Sequence, residues 1–224
     1  MMAKPHILFV VTSHDRIDEE KPTGIWLSEF AEPYELFVQA GYQITVASVR
    51  GGKAPIDPRS LPKDETQWAE AIAALEQTVP LSSVVEDPFD AVFLPGGHGT
   101  MYDLPGNPEL ERILRAMDDS KKIIAAVCHG PAGLVNMKRS DGQDFVRGRR
   151  LTAFTNAEEK AAQLDTYMPF LLETRLREQG ADFQGKPLWT DHVVIDGHLI
   201  TGQNPQSGLS AARAVVEQLS VPHS

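Results

Sequence analysis

The chain has 224 residues, 42% hydrophobic and 23% charged, a balance that belongs to a globular protein able to bury a core and excludes a disordered chain. Asp and Glu number 31 against 21 Lys and Arg, a formal net charge of −10, which argues against a phosphate-tracking surface and so against nucleic acid as the main partner. The longest apolar runs, such as 7–11 and 123–128, fall far short of the roughly 20 residues that span a bilayer, so no membrane association is expected. The N-terminus lacks a basic, then apolar, then small-residue pattern, and a cytoplasmic location is expected. A single cysteine excludes an intrachain disulfide and any multi-cysteine metal site.

Short β-rich apolar runs alternate with helical patterns, the signature of an α/β fold with a mainly parallel sheet. Residues 6–12 read as a buried first strand. A helix is expected over 24–41, where Trp26, Leu27, Phe30, Tyr34, Phe37 and Val38 recur at three- and four-residue spacing and Gly41 terminates the run. Within it, Trp26, Phe30, Phe37 and Val38 are expected to face the core. Residues 42–49 form a second strand. Residues 64–77 are periodic, with Trp68, Ile72 and Leu75 on one side, and 57–77 is a candidate cap inserted between strands. A strand over 91–94 stops at Pro95-Gly96-Gly97, a helix follows over 107–117, and 122–127 is the next buried strand.

A helix is expected over about 130–137 and an exposed connection over 138–150. A short strand follows at 151–154, then an amphipathic helix over 165–180 carrying Met168, Leu171, Leu172 and Leu176 and ending at Gly180. Residues 193–200 read as a hairpin, because Asp196-Gly197 between apolar runs favours a tight turn. A helix over 207–219 closes the chain. With no repeat and no long linker, 1–224 reads as one domain.

Parallel sheets bind ligands outside the carboxyl ends of their strands, and two strand ends here carry chemistry. In Ala126-Val127-Cys128-His129-Gly130 a buried strand passes abruptly toward a helix. A nucleophile on such an elbow is pushed into the open, and a helix N-terminus favours a thiolate, so Cys128 is expected to have a depressed pKa. His129 is the neighbouring base. In Leu94-Pro95-Gly96-Gly97-His98-Gly99, glycines let backbone N–H groups approach a ligand as an oxyanion hole requires. Glu29, near the apolar stripe of the first helix, is positioned to reach the same cleft. Glu158 and Glu159 follow the 151–154 strand. The sequence has no His-x-x-x-His or His-Glu-x-x-His spacing, so no metal site is expected.

Pro-Gly-Gly-His-Gly (95–99), Ala-x-Cys-His-Gly-Pro-Ala (126–132), Thr-Ala-Phe-Thr-Asn-x-Glu-Glu (152–159) and Leu-Ile-Thr-Gly-Gln-Asn-Pro-x-Ser (199–207) resemble the ThiJ/PfpI superfamily, which has the class I glutamine amidotransferase-like fold. Thr23-Gly24-x-x-x-x-Glu29 with Glu32-x-Tyr34 is similar to the branch of glutathione-independent glyoxalases (glyoxalase III, D-lactate dehydratase) and heat-inducible holdase chaperones. The resemblance implies a flavodoxin-like three-layer sandwich, commonly a homodimer. It implies Cys128 as nucleophile, His129 and Glu159 completing a triad (Glu158 being the other choice), Glu29 as the carboxylate beside the cysteine, and the Gly97 and His129 backbone N–H groups as oxyanion hole. The expected activity needs no cofactor: it converts methylglyoxal, a small dicarbonyl, to D-lactate. The alternatives are a holdase acting on unfolded client proteins, or a cysteine peptidase or amidase. Glutamine hydrolysis is disfavoured, because the late histidines read His192-Val193-Val194 and His198-Leu199-Ile200 instead of His-x-Glu.

Overall fold

A computed structural model of the chain describes residues 3–64 and 66–221. In chain order the elements are β1 (His6–Val11), β2 (Arg16–Asp18), β3 (Lys21–Pro22), α1 (Leu27–Gln39), β4 (Gln43–Ser48), α2 (Ala69–Glu76), β5 (Val79–Pro80), β6 (Ala91–Leu94), α3 (Thr100–Asp103), α4 (Pro108–Asp119), β7 (Ile123–Val127), β8 (Arg150–Leu151), α5 (Asn156–Ala161), α6 (Leu172–Glu178), β9 (Asp182–Phe183), β10 (Val193–Asp196), β11 (Leu199–Gly202) and α7 (Gly208–Ser220). Seven strands make the central sheet in the order β10-β11-β7-β6-β1-β4-β5. All neighbours are parallel except β10, which returns antiparallel along β11.

Strands buried on both faces have no polar side to show solvent, and β1, β6 and β7 are accordingly continuous apolar runs. Alternate side chains feed two cores. Ile7, Phe9, Val11, Phe93, Ala125 and Ile200 pack under α1, α2 and α7. Leu8, Val10, Val92, Leu94, Ile124 and Leu199 pack under α4 and α6. Helix, sheet and helix make the expected three-layer α/β sandwich. The centre of the first core is aromatic: Phe9 touches Phe30, Tyr34, Phe37 and Phe93 at centroid distances of 4.9–6.4 Å.

Several expected boundaries shift, each for a local reason. Helix α1 begins at Leu27, because Gly24 lies at φ +153° and a Cβ there would sit 2.4 Å from the Pro55 carbonyl oxygen. Trp26 is only half-buried at the mouth of the site described below, and Val38 is 44% exposed rather than in the core. The helix expected over 130–137 is a single 3-10 turn, Gly130–Leu134; two glycines and a proline in five residues favour no longer helix. Within the connection 138–150, Phe145 and Val146 are buried in the second core. Helix α6 starts at Leu172 rather than 165, since Pro169 restricts the residue before it to extended backbone. Of the strand expected at 151–154, only Leu151 pairs, with Phe183. The hairpin holds, but Asp196 pairs with Leu199, so its two-residue turn is Gly197-His198.

The segment 57–77, whose residue 65 lies outside the described residues, divides in two. Asp57 caps a 3-10 turn, Pro58–Ser60, while Ala71 and Leu75 of α2 pack into the first core. Among the described residues no helix is long and apolar enough to cross a membrane.

The Phe9 ring joins β1 to α1 at the middle of the first core. Phe9→Ala is expected to lower the unfolding free energy by about 3–5 kcal/mol, the usual cost of emptying a buried phenylalanine site, as measured by urea denaturation.

Candidate active site

The carboxyl ends of β6 and β7 lie side by side, and both chains turn sharply there. Cys128, the first residue after β7, has φ +61°, a left-handed conformation that is uncommon in a non-glycine residue and clusters at functional sites. It is pinned from both sides: its N–H donates to the Gly202 carbonyl at 2.9 Å, and its own carbonyl accepts from the Phe154 N–H at 2.9 Å. After β6 the chain passes through Gly96 and Gly97. A Cβ on Gly96 would lie 2.7 Å from both Glu29 Oε1 and the His129 nitrogen, and Gly97 has φ +105° with no room for a side chain. Glycine here lets a backbone strand, a helix carboxylate and the cysteine elbow meet at contact distance.

Around the sulfur the predicted residues come together. His129 Nδ1 is 3.5 Å from Cys128 Sγ, and His129 Nε2 donates to Glu159 Oε2 at 2.6 Å. Glu29, in the first turn of α1, accepts the Gly96 N–H on Oε1 at 2.8 Å, while its Oε2 is buried with no hydrogen-bond partner. Glu158 and Glu159 are separated by what they touch. Glu158 Oε1 closes the capping box of α5 by accepting the Thr155 N–H. Its Oε2 accepts from the Trp189 N–H at 3.0 Å and from Asn204 Nδ2 at 2.9 Å. Glu158 fastens the loop around Trp189; Glu159 faces the histidine.

Sequence reasoning missed two members of the cluster. His98 Nε2 lies 2.6 Å from Glu159 Oε1, so Glu159 carries a histidine on each oxygen. Arg59 Nη2 lies 3.3 Å from His98 Nδ1, and Arg59 is gripped by Asp57, whose Oδ2 also accepts from Thr23 Oγ1. His98 stood inside a glycine motif that drew attention to its backbone, and Arg59 in a segment read as a lid. Motif spacing also hides that His98, His129 and Glu159 bring possible ligand atoms within 4.8 Å of one another. Both histidine Nε2 atoms lie 2.6 Å from the Glu159 carboxylate, one on each oxygen.

Electrostatics corrects one expectation. The Cys128 thiol is pushed well above its ordinary value, first by burial and then by the charge of Glu29. Cys128 is 3% exposed, and only a five-residue 3-10 turn follows it, too short to offer the dipole expected of a helix. Burial raises the Glu29 carboxyl to about 8, against the opposing Gly96 hydrogen bond, so at neutral pH Glu29 is mainly a protonated acid. Burial and then the neighbouring His129 push His98 down to about 4, which keeps that ring neutral. Burial works to raise Glu159, but its pairing with His129, joined by the hydrogen bond from His98, outweighs it and holds the carboxyl well below the usual range.

The cluster opens on a pocket of about 100 Å³ walled by Trp26, Phe154, Trp189 and Pro205, with Cys128, Gly97, Arg59, Ala162 and the two histidines completing its lining. It has room for a small organic molecule.

The chain matches the DJ-1/PfpI family over residues 23–218. It is 30% identical over 213 residues to the glutathione-independent glyoxalase hsp3101 of Schizosaccharomyces pombe, covering 87% of each chain. Glyoxalase III from Candida albicans has a crystal structure that superposes with a TM-score of 0.87 at 28% identity, covering 95% of this chain and 96% of its own. The Rapid Encystment Protein of Francisella tularensis superposes with a TM-score of 0.91 at 34% identity, covering 97% of this chain and all of its own.

The raised Glu29 has a stability cost of known sign. A carboxyl whose folded pKa lies above its unfolded value binds more protons in the native state, so stability falls as pH rises from the unfolded pKa toward about 8. Glu29→Gln keeps the bond to Gly96 and cannot ionise. It is expected to melt higher than wild type at pH 9, by an amount on the order of a few kcal/mol in unfolding free energy, with the gain vanishing near pH 4. Calorimetry at the two pH values measures it.

Proposed function

The chain belongs to the DJ-1/PfpI family, and from that premise we propose that it is a glutathione-independent glyoxalase, converting methylglyoxal to D-lactate through a covalent adduct on Cys128. The observation that carries the reading is the placement of one buried thiol between two acid–base groups of different character. On one side stands neutral, proton-bearing Glu29; on the other, His129 is held by an ionised Glu159. A reaction that removes a proton from one carbon and delivers one to the next needs an acid–base group on each side of the adduct.

The thiol proton passes to His129 Nδ1, the side of the ring not engaged with Glu159, and the sulfur adds to the aldehyde carbon to form a hemithioacetal. A small pocket with aromatic walls favours this step, since it puts the carbonyl against the sulfur. The aldehyde oxygen sits where the Gly97 and His129 backbone N–H groups can hold it. His129 hands the thiol proton to the hemithioacetal oxygen and then takes the C1 proton on Nδ1 while Glu29 protonates the C2 oxygen, giving an enediol bound through sulfur; His129 returns its proton at C2 and the C1 hydroxyl proton goes back to Glu29. The product of that transfer is the lactoyl thioester. Water attacks its carbonyl, the carbon–sulfur bond breaks, and D-lactate leaves with the thiol restored. Oxidation at C1 balances reduction at C2, so neither glutathione nor a redox cofactor enters. Arg59 and Asp57 belong to the proposed cap segment, whose first residues border this pocket while its helix packs elsewhere.

A pocket of about 100 Å³ suits a small dicarbonyl. The test is D-lactate formation from methylglyoxal without glutathione. Wild type is expected to release many equivalents per protein, Cys128→Ala none. Glu159→Gln is expected to lose 10²–10⁴-fold in kcat, on the order of a positioned acid–base group, with its fold intact by circular dichroism. Absence of D-lactate from folded, reduced wild type would refute the reading.

A further inference from the structure

Arg59 reaches the pocket from a segment outside the sheet, and although its side chain is 44% exposed, Asp57 holds it by two of its nitrogens. Its Nε donates to Asp57 Oδ1 at 3.1 Å and its Nη2 to Asp57 Oδ2 at 2.7 Å. Asp57 is fully buried and is itself fixed by the Arg59 backbone N–H at 2.9 Å and by Thr23 Oγ1 at 2.9 Å. This buried grip aims one edge of the guanidinium at His98 Nδ1, 3.3 Å away.

A guanidinium has only donors. The His98 nitrogen facing it must therefore present a lone pair, and the ring proton of a neutral His98 must lie on Nε2. That proton points at Glu159 Oε1, 2.6 Å away. With one oxygen so occupied, Glu159 offers the other to His129 Nε2 at 2.6 Å. His129 must then carry its proton on Nε2, which leaves its Nδ1 lone pair toward Cys128 Sγ at 3.5 Å. An ionised Glu159 has only acceptors and asks for a proton on both Nε2 atoms, and Arg59 asks the same tautomer of His98 from its other nitrogen. If His98 adopted the opposite tautomer, its Nε2 lone pair would meet a carboxylate oxygen at hydrogen-bond distance, an arrangement that displaces Glu159 from both rings.

We infer that Arg59 is a positioning residue that fixes the tautomer of His98 and, through the shared Glu159 carboxylate, the orientation and tautomer of His129 as the acceptor of the Cys128 proton. The inference rests on the reading of Cys128, His129 and Glu159 as the working group, but its test needs no carbonyl substrate.

The readout is the rate of Cys128 alkylation by iodoacetamide at pH 7, which reports proton removal from the single thiol whatever the enzyme's substrate. Arg59→Met is expected to slow it about tenfold, the milder end of what a misdirected tautomer costs in a histidine-dependent site. His98→Gln puts an amide donor, which has no tautomer to choose, against Glu159. In that background Arg59→Met is expected to cost less than about twofold, because coupled residues fail to add. An equal loss in both backgrounds would show that Arg59 acts on the pocket directly and would overturn the inference, as would no loss in either.

Ring ¹⁵N correlation spectra of the wild-type protein supply a second measurement that requires no variant. His98 is expected as the Nε2–H tautomer, and an Nδ1–H pattern would refute the proposal. Should Arg59→Met fail to fold, Arg59→Lys takes its place in the cycle with the same expected outcome, since an ammonium drawn to Asp57 lacks the second prong that reaches His98. The D-lactate assay on wild type, run separately, tells failure of the glyoxalase reading from failure of this one.

Discussion

The candidate site is organised around one carboxylate. Glu159 lies at the start of a six-residue helix, is almost fully buried, and spends each oxygen on a histidine. A lone buried carboxylate would protonate rather than ionise; two imidazole N–H groups reverse that preference and keep it charged. Everything nearby is arranged to hold it. The Thr155–Glu158 capping box sets the helix that carries it, and Glu158 ties that helix to the Trp189 loop and to Asn204 just past β11. The chain thus uses adjacent glutamates for opposite tasks, one to build the scaffold and one to carry charge in the pocket.

Much of this was legible in the sequence. Fully apolar runs at 7–11, 91–94 and 123–127 mark strands covered on both faces, and such strands pair in parallel, so the sandwich followed. The elbow at Cys128 was legible too, because a buried strand running into Gly130-Pro131 has to turn at once. What escaped was set by tertiary contact. Val38 continues the helical stripe of α1 in spacing, but in the last turn Phe37 alone is fully buried and its neighbour is left 44% exposed. The pKa of Cys128 was misjudged because the local pattern showed a helix start, whereas the sulfur responds to the depth of its burial and to a glutamate 99 positions earlier in the chain. His98 joins Glu159 across 61 residues and Arg59 joins His98 across 39, by routes no spacing rule encodes. Periodicity reports which face a residue presents and is silent about which distant side chain meets it there.

Glu29 illustrates how function and stability pull apart in such a site. Its Oε1 is satisfied by Gly96 and its Oε2 is left bare beside the thiol. A core optimised only for stability would place glutamine or an apolar residue there. The fold tolerates the acid because two cores, one of them centred on four interlocked aromatic rings around Phe9, supply stability elsewhere. The same holds for Cys128 in its left-handed conformation, kept there by main-chain bonds to Gly202 and Phe154 from two other segments.

Cys128 is also the only sulfhydryl in the chain, a fact whose significance changes once the sulfur is located. Were it oxidised to a sulfenic acid, no second thiol in the same molecule could condense with it to form a protective disulfide. Rescue from further, irreversible oxidation would have to come from a small thiol or another protein entering past Trp26 and Trp189. The pocket walls are therefore also what stands between an oxidant and the sulfur, which they leave only 3% exposed.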